Sequence, residues 1–134
     1  MALGKVVIGG AVVIDGRKLS LSRAIRAGDT VYLTGQIPMK DGAPLTTGDI
    51  GEQTRSVLDV ITDALADAGC TRDHIVKATV WLRDRADFPG FNAVYAEYFA
   101  ENPPARSAVI SELLVDCRVE IEVIAWHPLP VASA

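Results

Sequence analysis

The stretch DIGEQTRSVLDVITDALADAG (residues 49–69), followed closely by HIVKATVWL (residues 74–82), decides the fold class. In the first segment Ile50, Thr54, Val57, Ile61, Leu65 and Ala68 recur every three or four residues, which paints one apolar stripe on a helix. Asp49 with Glu52 three residues on has the form of an N-cap and capping box, and Gly69 suits the C-terminal stop. The second segment changes period to two: Val76, Ala78, Val80 and Leu82 share one face and Lys77, Thr79 and Trp81 the other, as in a strand with one buried side.

Outward from this unit the same logic continues. Upstream, Ser22 to Ile25 and Val31 to Gln36 flank the turn Ala27-Gly28-Asp29 and read as a hairpin ending at Pro38. Downstream, Asp87 is placed to cap a second helix carrying Phe88, Phe91, Val94, Tyr95 and Tyr98, which Pro103-Pro104 stops. Strands Ala105 to Ser111 and Cys117 to Trp126 complete the order β-β-α-β-α-β-β, with room for an extra N-terminal strand. The expectation is an α+β domain, a mixed sheet with two helices on one face.

The 134 residues suit a single domain, 1–134, with residues 1–19 as an N-terminal strand or hairpin and 127–134 as a tail. Lys5 and the apolar run Val6 to Ile14 imitate a short signal core. Gly9-Gly10 divides the run, however, and no A-x-A site follows, so two short strands joined by a glycine turn are expected. The run is also too short for a bilayer. Hydrophobic residues form 49% of the chain and mean hydropathy is +0.24, rich for so small an interior, so some apolar surface is expected to be buried between subunits. Net charge is −4 with no Lys/Arg run, which disfavours nucleic acid. Cys70 and Cys117 stand far apart and form no C-x-x-C pair, consistent with reduced thiols in the cytosol.

Two charged positions invite a chemical reading. Arg106 shares a strand face with Ala108 and Ile110, and a planar guanidinium beside apolar neighbours can bind a carboxylate bidentately; the alternative is a strand-end arginine reaching solvent. In the last strand Arg118, Glu120 and Glu122 face one way while Cys117, Val119, Ile121, Val123 and Ala125 face the core. On periodicity alone that is a solvated polar face. His74 and His127 lack metal-site spacing and neighbours, Cys117 alternates into the core, and no phosphate loop or dinucleotide fingerprint occurs, so no cofactor or metal is expected.

Three motifs in this order resemble the Rid/YjgF family of enamine/imine deaminases: GDTVYLTGQIP (28–38), FNAVY (91–95) with PARS (104–107), and VEIEVIA (119–125). The resemblance covers about Ser20 to Trp126. It implies a chorismate-mutase-like homotrimer with sites between subunits and hydrolysis of reactive enamines and imines of amino acids, such as 2-aminoacrylate and 2-imino acids, to keto acids and ammonia. By that resemblance Arg106 binds the substrate carboxylate, Glu120 positions and activates water, and Thr34, Gly35 and Asn92 line the cleft. Ala108 would supply its backbone N–H. Where many members carry a tyrosine in the first hairpin this chain has Leu21, Ala108 stands where a small thiol is common, and Thr34 replaces a commoner serine; the substrate range is therefore open. Arg106 or Arg118 nearby would favour ionised Glu120. The alternatives are a non-catalytic trimer binding small carboxylates or acting as a chaperone, and a pathway-specific deaminase of an aminomuconate-like intermediate.

Overall fold

The computed structural model describes residues 4–130; residues 131–134 of the expected tail lie outside the described residues. Strands β1 (Lys5–Ile14), β2 (Arg17–Ala27), β3 (Thr30–Leu33), β6 (Ile75–Leu82), β7 (Ala105–Ile110) and β8 (Val119–Trp126) form a six-stranded sheet in the order β1-β2-β3-β8-β6-β7. Every neighbouring pair is antiparallel except β6 and β7, which run parallel with α2 (Phe88–Tyr98) as the crossover. Two-residue strands β4 (Met39–Lys40) and β5 (Ala43–Pro44) make a small separate hairpin before α1 (Ile50–Asp67). Both helices lie on one face of the mixed sheet, the α+β arrangement expected from the changing periods.

Helix α1 begins at the expected Asp49 cap, though among the described residues Glu52 makes no return bond to complete the expected capping box. The Asp49 carboxylate accepts the Glu52 amide at 2.9 Å. Its end is a Schellman turn: Cys70 N–H donates to Leu65 O and Gly69 N–H to Ala66 O, with Gly69 at φ +75, a conformation that suits a residue without Cβ. Val57, Leu58, Ile61 and Leu65 are wholly buried against the sheet, together with Gln53 and Thr54. From β8 come Val119, Ile121, Val123 and Ala125, and from β6 Ala78, Val80 and Leu82, all essentially inaccessible. Gly90 lets α2 pack close to the start of α1, for a Cβ there would stand 2.6 Å from Ile50 Cγ2.

Three local expectations are corrected. Val6 to Ile14 is not two strands joined by a turn; it is one strand running through Gly9 and Gly10, both with positive φ, where the register against β2 shifts to form a bulge. In β6 a register shift between Ile75 and Lys77 turns Val76 outward, 51% exposed, and places Ile75 in the core instead. Asp87 stands before α2 but makes no side-chain cap; its carboxylate instead takes both contacts from Arg118 Nη1, at 3.0 and 3.2 Å. The helix also ends ahead of the prolines, at Tyr98, and the chain turns through Asn102 at φ +54.

One buried charge ties the far end together. Arg26, only 7% exposed, donates to His127 O (2.8 Å), Ala68 O (3.3 Å) and Gly28 O (3.4 Å), so its guanidinium joins the end of β8, the C-terminus of α1 and the β2–β3 turn.

Two substitutions separate core packing from backbone geometry. Ile61→Ala should lower unfolding free energy by about 2–5 kcal/mol through lost burial and a residual cavity. Gly69→Ala, with nothing within 4 Å of the new Cβ, should cost about 1–2 kcal/mol from left-handed strain alone. Denaturant unfolding of both variants checks the difference.

Candidate active site

Arg106 enters from β7, where it pairs with Ala78 of β6, and so lies on the helix side of the sheet. Helix α2 supplies its seat. Residues 88, 91, 92 and 95 share a helix face, and the guanidinium carbon lies 4.7 Å from the Tyr95 ring centroid, 5.5 Å from Phe91 and 5.9 Å from Phe88. Nη1 donates to Asn92 Oδ1 at 3.0 Å. Ring faces attract the cation without occupying its N–H donors, and among the described residues no carboxylate pairs with it. Burial pushes the Tyr95 phenol up, against the opposing pull of Arg106, and its hydroxyl has no hydrogen-bond partner among the described residues. Such a held but unpaired guanidinium is suited to an incoming anion.

Glu120 belongs to the opposite face. Its neighbours Val119 and Ile121 fill the core, so alternation turns Glu120 away from the helices, level with Trp81 of β6. Its carboxylate lies against Gly35, where an added Cβ would stand 2.5 Å from Oε2. That glycine is held by the loop after β3: Gln36 exchanges backbone hydrogen bonds with Ile121 and its side chain donates to Thr34 O, while Thr34 N–H donates to Arg23 O. Burial first, and then the charge of Glu122, push the Glu120 carboxyl above its ordinary value of 4.5. Arg118 is engaged by Asp87 and does not hold Glu120 ionised; within one chain neither does Arg106, which lies across the sheet.

The sequence-derived residues thus fall into two groups. Arg106, Asn92 and Ala108 gather on the helix side along β7, where Leu82, Arg85, Phe88, Ala108, Val109 and Ile110 line a groove of about 480 Å³. Glu120, Gly35 and Thr34 gather around β8, and Glu120 shares a hollow of about 180 Å³ with Trp81, Ser111, Glu112, Leu113 and Leu114. Leu21 lies on β2, 44% exposed and separated from β8 by β3. The ring cage around Arg106 was not foreseen, because Phe88, Phe91 and Tyr95 read equally well as core; their spacing ahead of Pro104-Ala105-Arg106 was the available signal. His74 and His127, far apart in sequence, pack with ring centroids 4.2 Å apart and their planes tilted by 34°, and His74 Nδ1 accepts the Thr71 amide. Among the described residues no group of three or more potential metal ligands occurs, and no helix is long and apolar enough to cross a membrane.

A family model described as Endoribonuclease L-PSP matches residues 17–127. The chain belongs to the Rid/YjgF family. Among curated members, a RutC family protein of Pyrococcus horikoshii is 47% identical over 108 residues, 78% of this chain and 85% of that protein. The human 2-iminobutanoate/2-iminopropanoate deaminase is 37% identical over 115 residues, 84% of each chain. The solved structure of a Yersinia pestis protein of the Rid family superposes with a TM-score of 0.82 at 38% identity, over 91% of this chain and 98% of that one. These Rid structures share the two helices packed on a mixed sheet.

The Glu120 environment is testable directly. The Glu120 carboxyl of the isolated chain should titrate above 4.5 by carboxyl-selective NMR, and Glu122→Gln should bring it down. A carboxyl whose folded pKa is raised favours the fold least when ionised. Its contribution to stability is therefore undiminished below the unfolded value and falls as pH rises through the folded one.

Proposed function

We propose that this Rid protein hydrolyses 2-imino acids, and the enamines that tautomerise to them, in sites completed between subunits of a homotrimer. The observation that carries the reading is the separation of Arg106 and Glu120 onto opposite faces of one sheet, each without an opposite charge. An arginine half-site from one subunit and a glutamate half-site from the next can then enclose one substrate. Apolar surface is available for that contact: Val109 and Ile110 on the edge strand, and Tyr32 and Trp126 on the face without helices, are each about half exposed. The human relative's name, an imine deaminase, supports the same chemistry. Two free, buried cysteines and the net charge of −4 suit a cytosolic enzyme acting on small molecules rather than RNA, despite the endoribonuclease description of the family model.

The chemistry requires little. Arg106 grips the substrate carboxylate, and Ala108, two residues along the same strand face, borders the adjoining groove. The C=N carbon of a protonated 2-imino acid is already electrophilic. Glu120 takes a proton from water as its oxygen bonds to that carbon, giving a carbinolamine, and returns the proton to the nitrogen. The C–N bond breaks, the hydroxyl becomes the ketone, and its proton leaves on ammonia as ammonium. Thus 2-iminobutanoate and water give 2-oxobutanoate and ammonium. Positioning and general-base help are enough, since such imines hydrolyse unaided in water. A raised Glu120 pKa makes the carboxylate a stronger base, provided the working pH keeps it ionised.

The test is ammonia and keto-acid release from 2-iminobutanoate generated in situ by a dehydratase. Arg106→Ala should lower kcat/KM by roughly 100-fold or more, as expected for loss of a charge-assisted clamp. Glu120→Gln should lower kcat by about 10²–10⁴-fold while leaving 2-oxobutanoate binding intact. Turnover surviving both changes would sink the reading, and binding without turnover in the wild type would favour a carboxylate-binding trimer.

Gly35→Ala gives a separate check. The new methyl can be accommodated only by swinging the Glu120 carboxylate aside, so thermal stability should change little while kcat falls at least tenfold.

A further inference from the structure

The groove that adjoins the Arg106 seat at Phe88 has a cation of its own. Arg85, exposed in the short helical turn Arg85–Asp87, lines it with Leu82, Phe88, Ala108, Val109 and Ile110, and Phe88 also forms part of the Arg106 seat. Four other arginines are ion-paired: Arg23 to Asp67, Arg55 to Glu97, Arg83 to Asp116 and Arg118 to Asp87. Arg85 has no ion pair among the described residues, and the Asp84 carboxylate beside it is taken by the Ala86 amide.

We propose that Arg85 is a specificity-determining residue that binds a second, distal carboxylate, so that the site takes four- and five-carbon dicarboxylic 2-imino acids in preference to monocarboxylic ones. The inference rests on the deaminase reading of the same site and names its substrate class. Two features besides the free guanidinium support it. The groove, at about 480 Å³, falls in the ~300–1,000 Å³ range that holds drug-sized ligands, generous for a two-carbon side chain. Its length is also suitable: from Arg106 to Ala108 or Ile110 is two or four strand residues, roughly 7–13 Å, a span that a short diacid held at both ends by guanidiniums would fill. Leu82, Phe88 and Ile110 give the groove an apolar lining against which the methylenes of a diacid can pack. The reaction is unchanged: 2-iminoglutarate and water give 2-oxoglutarate and ammonium.

The experiment compares kcat/KM for 2-iminoglutarate and 2-iminosuccinate, each generated in situ by an amino-acid oxidase, with that for 2-iminobutanoate. In Arg85→Leu the dicarboxylic-to-monocarboxylic ratio should fall about 10- to 100-fold, Arg85→Lys should restore part of it, and Arg83→Leu, which removes an equal charge outside the groove, should leave it at the wild-type value. A ratio unmoved by Arg85→Leu, or moved equally by Arg83→Leu, overturns the proposal. If the wild type turns over no imine at all, the deaminase reading fails. The groove is then judged by calorimetric binding of 2-oxoglutarate against 2-oxobutanoate, where loss of the diacid preference in Arg85→Leu upholds the second-carboxylate site and its persistence refutes it.

Discussion

Everything in this molecule follows from the alternation of β8 at the centre of its sheet. With hydrogen-bonded strands on both sides and α1 across one face, Val119, Ile121, Val123 and Ala125 must all point inward. A shift of one residue would exchange them for Glu120, Glu122 and Trp126, burying two carboxylates at a cost the fold could not bear. The core therefore fixes the parity of β8, and parity sends Glu120 to the face without helices. Arg106, opposite inward-facing Ala78, is sent by the same rule to the other side. The division of the proposed site into two half-sites is a consequence of packing before it is a matter of chemistry.

The two half-sites are nonetheless mechanically joined. Asp87, immediately before the helix that bears Phe88, Phe91, Asn92 and Tyr95, is ion-paired to Arg118, immediately before β8. Gln53, wholly buried, accepts the Arg118 backbone amide at 2.7 Å and donates to Thr47 O. A displacement of α2 relative to β8 must break the Asp87–Arg118 pair, while Gln53 ties the same end of β8 to α1, so the arginine seat and the glutamate strand are held to one frame within a subunit.

What could be read in the sequence was whatever depends on period and local capping. The Asp49 cap, the Gly69 stop, the α1 stripe and the inward set of β8 are each properties of a few consecutive residues, and all are present. What could not be read depends on a partner. The bulges at Gly9-Gly10 and at Val76 are mismatches between two strands, invisible in either alone. Asp87 has the right residue type for a cap, but Arg118 competes for it from across the fold. Phe88, Phe91 and Tyr95 have the pattern of core residues, and only Arg106, brought alongside by β7, turns them into a cation-binding surface. For Arg106 and Glu120 the motif resemblance pointed to the residues; that they lie on opposite faces emerged only from the pairing of the strands.

Arg26 has a consequence for how the protein breathes. Among the described residues its charge meets no carboxylate and is balanced by the oxygens of Gly28, Ala68 and His127, three segments that touch the same group. Hydrating one of those oxygens exposes the guanidinium and weakens the reason for the others to remain. The β2–β3 turn, the last turn of α1 and the chain beyond β8 are thereby coupled into a single opening unit, whose amides would exchange with solvent together while the strands carrying the half-sites stay closed.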